Sequence, residues 1–419
     1  MTLLDRPLAL TRGPALPNRL AKSAMSERLA APGGAPSEEL VRLYRRWARG
    51  GAGLLVTGNV MIDRSAVAES GNVVVEDERD LAALAAWAEA ARSGGARAWM
   101  QINHPGRQIP RFMSREPVAP SAVGLRGAGG AFARPRALAG PEIHGIIARY
   151  AATARIAEAA GFDGVQIHGA HGYLISQFLS PRTNLRDDDW GGTPEKRRRF
   201  LLEVVGAVRR AVSPGFAVGL KLNSADFQRG GFTDEDSMAV VEALDGLELL
   251  EISGGTYESA AMFREDARSR ASTRAREAFF LDYAEKVRAR ARCPLMLTGG
   301  FRTRDGMESA LASGAIDVVG LARPLAAEPD LPGRLTGGEA AAAAPIALDT
   351  GIKMLDSVIQ AGWYQRQLGR MGRGREPDLR ASRLLAVTGY VLARRRFTPI
   401  AAEASTAAPR AAQVRRSAM

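Results

Sequence analysis

The chain has 419 residues, 46% of them hydrophobic and 24% charged, the balance of an ordinary globular protein with length enough for a large core. Cys293 is its single cysteine, which excludes an internal disulfide and any cysteine-ligated zinc or iron–sulfur centre and fits a cytoplasmic setting. The formal charge is +12, yet residues 370–419 hold eleven arginines against three acids, so the excess sits mainly in that stretch.

Met1–Arg19 lacks the continuous apolar core of a secretory signal. From there the body alternates strand-like and helix-like runs. Leu20–Met25 reads as a first buried strand, Glu38–Gly50 as a helix, and Leu54–Thr57 as a strand ending at Gly58. Asp77–Ser93 is an alanine-rich amphipathic helix and Ala98–Ile102 a strand, followed by a long Gly-, Pro- and Arg-rich loop from Asn103 to Pro141. Helix Ile143–Ala160 leads to strand Gly164–His168. Thr193–Val212 is helical, with Pro194 where a helix begins. Strand Ala217–Leu222 precedes helix Thr233–Ala243, with Thr233 a suitable N-cap. Strand Leu249–Ile252, helix Glu277–Ala291, strand Leu295–Thr298, helix Arg304–Ser313 and strand Ile316–Gly320 complete the series.

Eight apolar strands separated by helices or long loops predict a parallel sheet covered on both faces, and eight such units a (β/α)8 TIM barrel. A doubly wound open sheet is the competing α/β fold. The barrel is expected over residues 1–345, with a helical, basic C-terminal extension over 346–419 whose arginine-rich tail is partly disordered. Helix Asp349–Arg370 is expected on the outside of the barrel. The segment Leu384–Ala393 is apolar but too short to span a membrane, and no run of about 18 apolar residues occurs. The basic tail suits an anionic partner or is simply a solvated end, and no nucleic acid is expected for the body.

In such a barrel chemistry gathers at the C-terminal ends of the strands. The polar and glycine residues fall there: Met25 and Ser26, Gly58, Gln101, His168, Lys221, Gly299 and Gly300, and the run from Gly320 to Arg323. Glycines after the last two strands, opening onto short helices, suit a phosphate. The most informative stretch is Val165–Tyr173, where an apolar strand ends in His168, His171 and Tyr173 separated by small residues. Two imidazoles and a phenol can grip a carbonyl oxygen and deliver a proton. The plainer readings are a histidine metal pair, lacking an adjacent carboxylate, or packed rings with satisfied polar atoms. Lys221 within a strand requires an anionic partner if buried. His104 is expected to shape the loop after Gln101, His144 to lie at the surface, and Asp187–Asp189 to pair with Arg197–Arg199. Cys293 begins a strand, at the end of the barrel away from chemistry.

These strand ends resemble those of the Old Yellow Enzyme family over roughly residues 10–335. The most specific part is the run from His168 to Asn184, followed by Arg186–Arg197; Ser23–Ser26, Gln101–Arg107, Lys221–Phe227 and Val319–Leu325 support it. The resemblance implies FMN as cofactor, NADH or NADPH as reductant, and a small enone-type substrate. His168 and His171 would polarise the substrate carbonyl, and Tyr173 would protonate the α carbon. Ser23, Ala24, Met25, Ser26, Gly58, Gln101 and Lys221 would surround the flavin ring. Gly299, Gly300, Ala322 and Arg323 would cradle its phosphate. No metal is implied, and a homo-oligomer is compatible. Ser26 stands where many relatives carry Thr or Cys, and Arg28 near where some carry a tyrosine that touches substrate; an arginine there would favour an acidic or phosphorylated substrate. A tRNA dihydrouridine synthase-like flavin barrel, or a flavin-free phosphate-binding lyase or isomerase using Lys221, are the alternatives.

Overall fold

The computed structural model describes residues 2–126, 130–253, 281–346, 348 and 353–382, with backbone alone for 353–358. Eight parallel strands close on themselves: β1 (Leu20–Lys22), β2 (Leu54–Val56), β3 (Arg97–Asn103), β4 (Gly164–Gly169), β5 (Ala217–Asn223), β6 (Leu249–Ser253), β7 (Leu295–Thr298) and β8 (Val318–Leu321). Each pairs with its sequence neighbours, and β1 pairs with both β2 and β8, which closes the cylinder. The fold is therefore the expected (β/α)8 barrel and not an open sheet.

The helices follow in chain order: α1 (Glu38–Ala48), α2 (Leu81–Arg92), α3 (Gly140–Ala159), α4 (Leu174–Leu179), α5 (Pro194–Ala211), α6 (Asp234–Ala243), α7 (Leu281–Arg288), α8 (Arg304–Ala312), α9 (Arg323–Ala327), α10 (Leu331–Thr336) and α11 (Lys353–Gly372). Their boundaries have local causes. Thr193 and Thr233 each accept a hydrogen bond from the backbone three residues on, and Pro194 opens α5, so both starts are capped as expected. The helix expected over 77–93 divides into a 3-10 turn at Glu78–Asp80 and α2. Strand β1 ends at Lys22, earlier than expected. Beyond it Ser23 still donates to Leu321, but residues 24–26 leave the sheet as half-buried loop at the barrel mouth. The first four residues of the helix expected from Glu277, and the apolar run 384–393, lie outside the described residues. Within the long loop after β3, Val118–Ala119 pairs with Arg136–Ala137.

Alternation along each strand sends one set of side chains outward to the helices and the other into the barrel. Inside, Ala21, Leu54, Val56, Trp99, Ala217, Leu249, Met296 and Val318 form an apolar plug, with Leu8 and Leu16 packed on it. Trp99 fills this space because Gly219 has no side chain; a Cβ there would come 2.6 Å from the indole. Outside, α1 buries Leu40, Leu43, Tyr44 and Trp47, the spacing of one helical face. α11 packs on α1 and adds Leu368 and Met371 to the main core, so the expected outer helix lies against the barrel over its described part, residues 349–352 lying outside the described residues.

Candidate active site

Above the apolar plug, inward positions become polar. Glu251 of β6 is fully buried and lies opposite Lys221 of β5 in the strand register. The Lys221 Nζ to Glu251 Oε1 distance is 2.9 Å. The same carboxylate accepts from Thr298 Oγ1 at 2.7 Å and from Gln166 Nε2 at 2.7 Å. Gln166 Oε1 in turn accepts from Gln101 Nε2 at 2.7 Å, and Thr298 meets Ser23 Oγ at 2.7 Å. Five strands are thus tied by one network, and its direction follows from Glu251: a carboxylate only accepts, so Gln166 must donate to it and Gln101 must donate to Gln166. Gly320 of β8 lies over the Ser23–Thr298 bond, and a Cβ there would overlap both hydroxyls.

The sequence singled out Ser23, Gln101 and Lys221, and the structure joins them. It also supplies what was missed: Gln166, Glu251 and Thr298. The signal for Glu251 was present, since it is the one acid in the run Leu249–Ile252 and a buried lysine requires an anion. Gln101 has one N–H committed to Gln166 and presents its oxygen and second N–H, not the whole amide edge.

His168, His171 and Tyr173 meet at the end of β4. The His168 ring lies 5.1 Å from that of His171 and 4.9 Å from that of Tyr173, both edge to face. His168 Nδ1 accepts from the Ala170 N–H at 3.2 Å, so a neutral His168 carries its proton on Nε2. His171 has a left-handed backbone, φ 61°, unusual for a residue with a side chain. Its N–H donates to Asn223, its carbonyl accepts from Gln108 Nε2, and its Nε2 lies 2.8 Å from Ser253 Oγ. These contacts hold the turn. Burial pushes both imidazoles well below the ordinary value; His171 adds to the effect on His168, and the Lys221 cation acts on both. Both rings are therefore neutral donors near pH 7. The Tyr173 hydroxyl accepts from Asn59 Nδ2 at 3.2 Å. Tyr173 also packs with Met61, Val67, Ala68 and Val74, so its ring orientation is fixed from both sides.

The other expected positions are distributed around this centre. Ala24 packs on the interior plug and Met25 on the outer core. Ser26 donates to Glu69 and accepts from Asn72 at 3.3 Å, which ties it to the loop after β2. Gly58 donates its N–H to Glu27 at 2.9 Å, and a Cβ at Gly58 would overlap the Glu27 carboxylate and the Met25 carbonyl. Glu27 also binds buried Lys22 at 3.3 Å and the Tyr44 hydroxyl, a clamp the sequence did not disclose. Gly299 and Gly300 have φ of 131° and 91°, conformations that favour glycine. Ala322 caps α9, and Arg323 Nη1 donates to Gln360 of α11 at 3.2 Å.

The remaining expectations are simpler. His104 is buried, its Nδ1 accepts from Gly106 at 3.1 Å, and burial pushes it down to about 4. His144 is exposed beside Trp190. Asp189 approaches Lys196 and Arg199, while Asp188 pairs with Arg186. The Cys293 thiol is pushed up to about 11 by burial, as suits an unreactive thiol. No helix among the described residues is long and apolar enough to cross a membrane.

The donor set fits a flat phosphorylated redox group. Lys221 has N–H groups beyond its bond to Glu251, Gln101 offers its amide oxygen and second N–H, and Gly299 and Gly300 follow β7, the strand next to the one that leads into Arg323.

Comparison with known proteins agrees. The model of the NADH:flavin oxidoreductase / NADH oxidase family matches residues 4–341. The chain is 37% identical over 386 residues to the NADH-dependent flavin oxidoreductase iliE of Hypocrea jecorina (strain QM6a), covering 87% of this chain and 94% of that protein. Morphinone reductase superposes with a TM-score of 0.68 at 28% identity, covering 84% of this chain and 92% of that one. The Old Yellow Enzyme homologue from Zymomonas mobilis gives 0.68 at 25% identity, covering 83% and 95%.

Proposed function

The chain belongs to the NADH:flavin oxidoreductase / NADH oxidase family, and from that premise we propose that it reduces the carbon–carbon double bond of α,β-unsaturated carbonyl compounds. At the coarser level it is an FMN-dependent oxidoreductase of the Old Yellow Enzyme type. NADH is the proposed reductant. FMN held at this site would supply the hydride chemistry that links the nicotinamide to the β carbon of the substrate. Ser23, Ala24, Met25, Ser26, Gly58, Gln101 and Lys221 are the proposed ring contacts, and Gly299, Gly300, Ala322 and Arg323 the proposed phosphate contacts.

The chain's own residues do the rest. His168 donates Nε2–H to the substrate carbonyl oxygen, and His171 donates beside it. When Ser253 donates to Nε2, the neutral His171 ring carries its proton on Nδ1. As negative charge grows on the oxygen, these donors stabilise it without first losing a charge of their own. Lys221, kept in place by Glu251, adds a cation where reduction accumulates negative charge. Tyr173 protonates the α carbon as general acid, with Asn59 donating to its oxygen. The observation that carries the reading is the contact of His168 with both other rings, with both imidazoles held neutral.

The test is direct. The purified chain should carry flavin bands near roughly 370 and 450 nm, as expected of bound FMN. NADH should bleach it anaerobically, and cyclohexenone should restore the colour. A chain that is bleached by NADH but never recoloured by any enone or enal keeps its family and loses this substrate class.

A further inference from the structure

We propose that α11, which lies wholly beyond the family-matched residues 4–341, completes the phosphate end of the cofactor site, with Gln360 as the positioning residue for Arg323. The proposal rests on the reading of Arg323 as a phosphate contact. Thr298 and Gly320 are register partners, so Gly299–Gly300 and Ala322–Arg323 leave adjacent strands at the same end of the barrel. Among the described residues no carboxylate pairs with Arg323; its side chain donates instead to the neutral carbonyl Oε1 of Gln360, at 3.2 Å.

That choice of partner matters. A bare arginine at a mouth samples many rotamers, and fixing it is entropically costly when a ligand arrives. An acidic partner would fix it but would neutralise the charge an anion needs. A glutamine does the first without the second.

The helix itself is held firmly. Ile359 and Trp363 pack with Ala327 of α9, the same short helix that begins at Arg323. The apolar seam therefore sets the register of α11 against α9 next to the hydrogen bond. Gly372, at the other end, accepts from Arg42 of α1 at 2.8 Å. In between, Gln365 donates to the Glu27 carbonyl. The helix thus touches the chain after β1 and after β8, two of the strand ends that carry cofactor contacts in the proposed reading.

The experiment titrates FMN and riboflavin into flavin-stripped full-length chain and follows flavin fluorescence. The variants are Gln360→Ala, Gln360→Glu and Arg323→Ala. Riboflavin lacks the phosphate, so it reports everything except the interaction in question. Gln360→Ala should weaken FMN binding about tenfold, the scale of one lost hydrogen bond to a charged group, and leave riboflavin binding unchanged. Gln360→Glu, similar in size and able to fold if the alanine variant does not, should also weaken FMN alone, because it neutralises the guanidinium. If Arg323→Ala weakens FMN while both Gln360 variants bind it as the parent does, the proposal fails and the phosphate reading stands. If Arg323→Ala also leaves FMN binding intact, the assignment of Arg323 falls as well. Equal losses for FMN and riboflavin would mean α11 acts only through the fold, and would overturn the proposal.

Discussion

Replacing Glu251 by glutamine preserves shape and removes one buried charge, and its cost can be worked from the geometry. The Lys221–Glu251 pair is 2.9 Å apart, with side chains 5% and 0% exposed, so solvent screens it little. At that separation the attraction is about 6 kcal/mol for an effective dielectric of about 20. Part of this is cancelled by the cost of taking both ions out of water. What remains on removing one partner is the cost of a buried unpaired cation, about 3–5 kcal/mol. The amide cannot replace the carboxylate either. Gln166, Thr298 and Lys221 all present donors to it, and the new NH2 group must face at least one of them. The expected loss for Glu251→Gln is therefore about 3–5 kcal/mol. It would be read as a lower denaturant midpoint at unchanged slope, on flavin-stripped protein so that ligand binding does not mask it. Lys221→Met combined with Glu251→Leu removes both charges and should recover much of the loss. A Glu251→Gln stability within about 1 kcal/mol of the parent, the scale of an exposed ion pair, would refute the reading of Lys221–Glu251 as a buried pair that solvent screens little.

Tyr173→Phe should leave reduction by NADH unchanged and slow reoxidation by enone about 100-fold or more, the usual share of a general acid; stopped-flow of the two half-reactions separates them. His168→Ala with His171→Ala should weaken phenol and enone binding and lower enone turnover about 100-fold or more while FMN stays bound, which a spectral titration checks. Because both imidazoles lie well below their ordinary value, enone reoxidation should show no imidazole titration between about pH 6 and 8; a rate that climbs as pH falls through 6.5 would mean the donors are imidazolium. For stability the sign is the reverse of a paired histidine: His104 titrates near 6.5 when unfolded and about 4 when folded, so its contribution is complete above 6.5 and lost as pH falls from 6.5 towards 4. Acid unfolding curves should show this slope, about 3 kcal/mol over the window, and His104→Gln should lack it. Gly320→Ala should break the Ser23–Thr298 bond and cost about 2 kcal/mol or more by overpacking, seen as a lower melting temperature.

The sequence by itself determined the barrel and the end of it at which the polar strand-end residues gather. Apolar runs of strand length alternating with amphipathic stretches are local patterns, and their number and order leave few closed arrangements. The trio His168, His171 and Tyr173 was legible for the same reason: the residues lie within six positions of one another, so a single strand end brings them together. Helix α4 was not legible, because all six of its residues are buried and no polar face marks its period. The tertiary structure decided what depends on residues far apart in the chain. It paired Lys221 with Glu251, oriented Gln101 through Gln166, clamped Gly58 with Glu27, and brought Gln360 to Arg323. Each of those contacts joins separate elements, and its geometry is set by strand register and helix packing, which exist only once the cylinder has closed.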